Sequence, residues 1–130
     1  MILLDTHVVV WLMTAPERIS RAAASALEDR GVRGRRPALS AASIFELGYG
    51  IRRGRILMHG TSIGFLDRMR ANFELVPVTE AIAFEAASFP EPFHGDPMDR
   101  IITATALLGD FTLLTNDNRI RKSGLCRVIW

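Results

Sequence analysis

Four acidic residues of this sequence occupy positions from which carboxylates can act together: Asp5, Glu46, Asp99 and Asp117. Asp5 follows a short apolar run at residues 1–4, and Asp117 follows another at residues 111–115. Asp99 lies near the start of a predicted helix, and Glu46 lies within one. A parallel sheet can bring such positions together outside the carboxyl ends of its strands, where ligands bind in open α/β folds.

Four ionised carboxylates at one edge of a sheet would repel one another strongly unless some were protonated or a cation neutralised them. Carboxylate oxygens are hard ligands, and hard divalent cations prefer them. The four acids therefore predict a Mg²⁺ or Mn²⁺ site. A cysteine-based site is not expected, because the only cysteine, Cys126, lies in a predicted final strand and is expected to fill core volume.

Each of these acids also has a structural interpretation that the residues alone leave open. Asp5 or Thr6 can cap the helix that follows, as Asp and Thr commonly do. Glu46 has mostly small residues at the i±3 and i±4 positions beside it, and it can simply face solvent. Asp96 is a good N-cap for a helix with proline at its first position, and Asp99 then occupies the capping-box position.

Short apolar runs alternate with helical patterns along the chain. Strands are predicted at residues 1–6, 38–40, 74–77, 111–115 and 126–130. Helices are predicted at residues 7–14, 20–30, 41–53, 63–71, 80–87 and 97–108. This alternation is typical of an α/β fold with a mainly parallel sheet.

The length and composition are those of one globular domain. The chain has 130 residues, 48% of them apolar and 23% charged, and we expect residues 1–130 to form a single domain with its own core. No apolar run approaches the roughly 20 residues that span a bilayer, and the start of the sequence lacks the pattern of a secretory signal. We therefore expect a cytoplasmic protein without membrane contact.

Four segments together resemble a known family; they are residues 3–7, 43–47, 94–106 and 113–117. Their order and spacing are similar to those of the PIN-domain ribonucleases, and within them to the VapC-type toxins of bacterial and archaeal toxin–antitoxin pairs. The resemblance covers essentially the whole chain. It implies a three-layer α/β/α fold with a short, mainly parallel central sheet.

The resemblance also implies a site and a reaction. The residues that match the family's metal-binding and catalytic acids are Asp5, Glu46, Asp99 and Asp117. Thr6 and Thr115 match small hydroxyl positions beside the site, whereas Asp96 is better interpreted as the helix cap. The implied reaction is hydrolysis of an RNA phosphodiester, in which Mg²⁺ or Mn²⁺ activates water and stabilises charge on the phosphate.

Basic residues outnumber the acids that remain once the predicted site is set aside. The chain has 16 basic and 14 acidic side chains, so leaving out the four site acids sets 16 against 10, a balance of +6 that suits RNA. The arginines predicted to contact RNA phosphates are Arg33, Arg35, Arg36, Arg52, Arg53 and Arg55. Arginines at such positions also commonly contribute to solubility alone. His94 is expected to be a loop histidine without a catalytic role.

Two protein partners are implied by the resemblance: a second copy of the chain in a homodimer, and a cognate VapB-type antitoxin that covers the active-site groove. Other classes fit less well. A response regulator needs paired acids at the first strand, but Asp5 has no acidic neighbour. A haloacid-dehalogenase-like phosphatase needs a second aspartate where this chain has His7. A PIN-like module that binds RNA or protein without cutting remains an alternative, and the intact set of acids argues against it.

Overall fold

The computed structural model describes residues 1–32, 34–57, 59–93 and 95–130, with the backbone alone at residues 30–32. Over these ranges the chain forms a five-stranded sheet. The strands are β1 (Ile2–Leu4), β2 (Ala38–Ser40), β3 (Glu74–Val76), β4 (Thr112–Leu114) and β5 (Arg127–Ile129). All pairs are parallel, in the order β3-β2-β1-β4-β5, so β1 is central. The predicted α/β fold with a parallel sheet is confirmed.

Seven α-helices are found in the described part of the chain. They are α1 (Thr6–Thr14), α2 (Arg21–Val32), α3 (Ala41–Arg52), α4 (Ser62–Asn72), α5 (Glu80–Ser88), α6 (Pro97–Leu108) and α7 (Asn118–Ser123). The first six lie within two residues of their predicted bounds. Helix α7 escapes prediction because Ile120 is its only apolar side chain. None of the helices in these ranges has the length and apolar character needed to cross a membrane.

Helices cover both faces of the sheet, because successive residues of a strand point to opposite sides. Leu3 and Leu113 pack into a core formed with α5 and α6 and with Ile120 of α7. Leu4 and Leu114 pack into a second core, which α1 to α4 cover. These strand leucines are fully buried. The result is the expected three-layer α/β/α arrangement.

The register of the sheet sets which side chains meet at its carboxyl edge. β1 pairs with β4 so that Leu4 lies opposite Leu114, and the Asp5 N–H donates to the Leu114 carbonyl at 3.0 Å. Asp5 and Thr115, the next residues along each strand, therefore leave the sheet side by side. On the other side of β1, α3 begins directly after β2 and brings Glu46 to the same edge.

Cys126 lies one residue before β5 rather than inside a strand. It is partly buried and packs against the core that contains Leu3. Burial raises the pKa of its thiol to about 11, so the thiol remains protonated at neutral pH and is a poor nucleophile. This environment agrees with a space-filling role.

Candidate active site

Asp5 lies at the carboxyl end of the central strand, with its carboxylate buried beside Thr115. The Thr115 hydroxyl donates a 2.6 Å hydrogen bond to Asp5 Oδ2, and both residues are buried. Asp5 also occupies the N-cap position of α1, but its side chain makes no capping bond. Asp5 therefore caps the helix by position only, and its carboxylate binds Thr115 at the edge of the sheet.

The pKa of Asp5 is raised above its ordinary value, chiefly by burial. The Thr115 hydroxyl bond and the nearby His7 act in the opposite direction, and the charge of Asp99 raises the pKa further. The charged form of Asp5 is thus unfavourable in this surrounding, since it has lost water without gaining a full counter-charge. A cation beside it would relieve that cost.

Glu46 is held by a hydroxyl group from the neighbouring helix. Thr6 Oγ1, in the first turn of α1, donates a 2.6 Å hydrogen bond to Glu46 Oε1 and also contacts Ser43 Oγ at 2.9 Å. Glu46 is half-buried rather than solvent-facing. Burial makes the largest contribution and raises the pKa of Glu46. The hydrogen bond from Thr6 lowers this pKa, and the charges of Asp99 and Asp5 raise it. The carboxylates of Asp5, Glu46 and Asp99 therefore act on one another.

Asp99 reaches this edge from the first turn of α6. Asp96 caps that helix, because its carboxylate accepts two backbone N–H groups of the first turn at 2.9 and 3.2 Å. The Asp99 side chain is 14% exposed, and its Oδ2 lies 4.0 Å from the Arg119 guanidinium. Asp96 thus fixes the start of the helix, and the charge of the Asp99 carboxylate acts on Asp5 and Glu46.

Asp117 has a different surrounding, because an arginine already binds it. It caps α7, accepting the backbone N–H groups of Arg119 at 2.7 Å and Ile120 at 3.3 Å. Arg119 Nη2 lies 3.0 Å from Asp117 Oδ2. Burial raises the pKa of Asp117, but the hydrogen bonds from Arg119 and Ile120 and the Arg119 charge outweigh it, so the pKa is lowered. Asp117 is therefore ionised and paired at neutral pH.

Arg119 is a site residue that the sequence reasoning misses. Its guanidinium lies within 4.0 Å of both Asp117 and Asp99 and so links two of the four acids. In the sequence it stands in a polar run without an apolar pattern. The sequence feature that could have identified Arg119 is its position two residues after Asp117, an acidic residue that could cap a helix.

The donor set fits a hard divalent ion in its chemistry. Asp5, Glu46 and Asp99 supply the carboxylate oxygens that Mg²⁺ and Mn²⁺ prefer. The charge repulsion that contributes to the raised pKa of Asp5 and of Glu46 is of the kind that a bound cation removes. Among the described residues, no three Asp, Glu, His or Cys side chains already lie close enough together to hold an ion. Asp117 would have to give up part of its pairing with Arg119 to join the others.

Two of the arginines predicted to contact RNA lie far from the acids. Arg35 and Arg36 precede β2 and so lie at the amino end of the sheet, opposite the edge that carries Asp5. Arg36 is bound there, since Nη1 donates to the Arg70 carbonyl and, at 3.3 Å, to the Ala71 carbonyl. Arg33 lies outside the described residues.

The other three predicted arginines lie at the end of α3. Arg52 and Arg55 are exposed. Arg53 stacks over the Tyr49 ring at 5.0 Å, and its Nη2 donates to the Tyr49 hydroxyl at 2.6 Å. Contact of these arginines with RNA stays a prediction. His94 lies outside the described residues.

Comparison with known proteins gives matches along nearly the whole chain. Residues 2–124 match the PIN domain. The chain is 35% identical over 120 residues to ribonuclease VapC22 of Mycobacterium tuberculosis, which covers 92% of this chain and 89% of that protein.

Solved structures share the fold. VapBC2 of Rickettsia felis, crystallised with a promoter DNA fragment, has a TM-score of 0.72 at 17% identity, over 99% of this chain and 98% of that one. A toxin–antitoxin complex from Klebsiella pneumoniae has a TM-score of 0.69 at 20% identity, over 100% of this chain and 97% of that one.

Proposed function

Because the chain belongs to the PIN-domain family, we propose that it is a metal-dependent endoribonuclease and the toxin of a type II toxin–antitoxin system. It hydrolyses RNA phosphodiester bonds with Mg²⁺ or Mn²⁺. The reaction class is supported by the 35% identity to a protein named a ribonuclease, over most of both chains. In this proposal residues 1–130 act as a single domain in the cytoplasm.

The observation that carries the proposal is the electrostatic coupling of three carboxylates at the carboxyl edge of the sheet. Burial and the charges of the other acids raise the pKa of Asp5 and the pKa of Glu46. The charge of Asp99 contributes to both shifts. A structural role would not require three such acids to share one place, because each destabilises the charged form of the others. Perturbed carboxylates grouped at a strand end are typical of a catalytic site.

The metal would be held by Asp5, Glu46 and Asp99, with Asp117 joining directly or through water. A divalent ion bound there supplies a water of lowered pKa and stabilises charge on the phosphate oxygens. Thr115 and Thr6 are positioning residues: their hydroxyls donate 2.6 Å hydrogen bonds to Asp5 and Glu46. Such bonds orient metal-binding carboxylates and limit their rotation.

The test compares cleavage of a labelled structured-RNA pool by the wild type, Asp5→Asn and Asp99→Asn, in Mg²⁺, in Mn²⁺ and in chelator. We expect cleavage by the wild type with either ion and none in chelator. Both variants should cleave at least about 100-fold more slowly, the order found when one charge-stabilising group is lost. Asp67→Asn, at an exposed aspartate of α4, is the matched control and should cleave like the wild type.

Metal binding and folding are measured on the same samples by calorimetry and circular dichroism. A folded wild type that binds metal but leaves every RNA in the pool intact would contradict the nuclease and favour the binding module. Cleavage that persists in chelator would instead contradict the metal requirement alone.

We also propose two protein partners, a VapB-type antitoxin and a second copy of the chain. The antitoxin is supported by the fold shared with a toxin–antitoxin complex, and adding it should stop RNA cleavage. Phe45 is 61% exposed and stacks on Tyr49 at 5.9 Å, which offers an apolar surface on α3 to a partner. Light scattering tests the homodimer: twice the chain mass of 14.4 kDa is expected, and a monomer at every concentration would contradict it.

A further inference from the structure

A cavity of about 360 Å³ opens between residues 90–93, which precede α6, and helix α7. Its volume lies within the roughly 300–1,000 Å³ of small-molecule sites. The walls are of two kinds. The apolar side is formed by Pro90, Pro92, Phe93 and Leu125, and the cationic side by Arg119 and Lys122.

Arg119 joins this cavity to the acids. Its Nη2 lies 3.0 Å from Asp117 Oδ2 and 4.0 Å from Asp99 Oδ2, while the same residue lines the cavity. A group bound in the cavity is therefore separated from two of the carboxylates by a single side chain. A polymer that places one phosphate at the acids can place its next unit here.

Lys122 is the cation of the cavity that is available to a ligand. It is exposed, and it makes no ion pair with another described residue. Arg119, by contrast, is already paired with Asp117. One acid, Glu91, also lines the cavity. Because Asp117 already neutralises Arg119, Lys122 is the cation that can contact an anionic group of a ligand.

The apolar wall suits the face of a nucleobase. Unpaired RNA bases bind by stacking on apolar and aromatic groups, while cations contact their phosphates. We propose that the cavity is a subsite for one unpaired nucleotide of the RNA, next to the bond that is cut. The base lies against the proline and leucine wall, and its phosphate contacts Lys122. The position of this nucleotide rests on the proposed nuclease function.

The first test measures binding of a short single-stranded oligoribonucleotide in chelator, which prevents cleavage. Lys122→Gln should weaken binding roughly tenfold, the loss expected for one charge-assisted contact, and Lys122→Arg should restore most of it. Arg121→Gln is the matched control, because it removes the same charge from α7 at an exposed residue that does not line the cavity. The same RNA annealed into a duplex should bind weakly to all four proteins.

The second test uses the fact that Lys122 is the only lysine of the chain. An oligoribonucleotide with a terminal aldehyde is bound in chelator, the lysine amine condenses with the aldehyde and releases water, and borohydride reduces the imine to a stable amine. Mass spectrometry should locate the adduct at Lys122. Lys122→Arg should bind the RNA without forming that adduct.

Equal weakening by Lys122→Gln and Arg121→Gln would overturn the subsite, because it would show a general effect of surface charge. RNA that binds without an adduct at Lys122 would overturn it too. Cleavage of the same oligonucleotide with metal is scored separately. If the wild type cuts the oligonucleotide and Lys122→Gln binds it normally, only the subsite proposal is contradicted. If binding requires Lys122 but the oligonucleotide is not cut, only the proposed nuclease function is contradicted.

Discussion

Two threonine hydroxyls hold the buried carboxylate of Asp5 and the half-buried carboxylate of Glu46 without neutralising them. Thr115 donates to Asp5 and Thr6 to Glu46, each at 2.6 Å. A hydroxyl has one proton to donate, so it orients one carboxylate oxygen and leaves the repulsion from Asp99 in place. Charged groups kept in an unfavourable surrounding reduce stability and are common where function requires them.

Replacing Asp5 with asparagine should stabilise the metal-free protein at neutral pH. The folded pKa of Asp5 is higher than its unfolded value. Its contribution to stability is therefore fully present below about pH 4 and is lost as the pH rises through the folded pKa. Asparagine avoids that loss and keeps an oxygen for the Thr115 hydroxyl. We expect the free energy of unfolding, from urea denaturation in chelator at pH 7.5, to rise.

Two further observations belong to the same experiment. The difference between Asp5→Asn and the wild type should largely vanish below about pH 3, where the carboxyl group of Asp5 is protonated in both the folded and the unfolded chain. Asp67→Asn, at an exposed position, should change stability by less than about 0.5 kcal/mol at either pH. If Asp5→Asn were less stable than the wild type at pH 7.5, burial of the charge would not be the dominant contribution of this residue to stability.

Helices α6 and α7 both begin with an aspartate cap, but they use their acids differently. In α6 the cap is Asp96, and Asp99, one turn later, remains part of the site. In α7 the cap is Asp117 itself. The N–H groups and the dipole at a helix start stabilise a carboxylate, and Arg119 adds to this effect at Asp117. The four acids therefore do not have equivalent surroundings.

A pair of substitutions at Asp96 should separate capping from metal binding. Asp96→Ala removes the cap and should cost about 1 kcal/mol of unfolding free energy, whereas Asp96→Ser keeps a capping oxygen and should cost much less. Asp96→Ser removes one charge but keeps Asp99 in position. The metal affinity measured by calorimetry should therefore stay close to that of the wild type. A large loss of metal affinity in a stable Asp96→Ser protein would instead make Asp96 a metal ligand.

The cations available to RNA lie in several regions of the molecule. The acids gather at the carboxyl edge of the sheet, the cavity that Lys122 lines is next to them, and Arg35 lies at the opposite edge. Arg52 is six residues beyond Glu46 on α3, which is about 9 Å along the helix axis. A long RNA can therefore touch cations that a short one at the acids does not reach.

Arg35→Gln should weaken the binding of long RNA and leave cleavage of a short oligonucleotide unchanged. If Arg35 contacts a phosphate, its loss should reduce the slope of log affinity against log salt by about one, and Arg35→Lys should keep the slope. Filter binding in chelator over a range of salt measures this. An unchanged slope for long RNA would show that Arg35 is a solubility charge.

Local patterns are enough to predict most elements of this fold but not all of them. The central strand and six helices follow from apolar runs, periodicity and caps such as Asp96. Helix α7 does not, because Ile120 is buried only through contact with the core around Leu3. Arg119 was missed with it, since its role depends on where that helix begins. The single-domain organisation of residues 1–130 remains a prediction.

The sequence alone was sufficient for the α/β class and the strand-end position of Asp5, because these depend on neighbours along the chain. The grouping of the four acids in one metal site stays a prediction. The sequence could not distinguish a capping Asp5 from a buried one, or a solvent-facing Glu46 from one bound to a hydroxyl. Thr115 and Asp5 are 110 residues apart and Thr6 and Glu46 are 40 apart. Such contacts exist only once β1 has paired with β4 and α3 has packed beside α1, so tertiary packing determines the environment, and hence the pKa, of each acid.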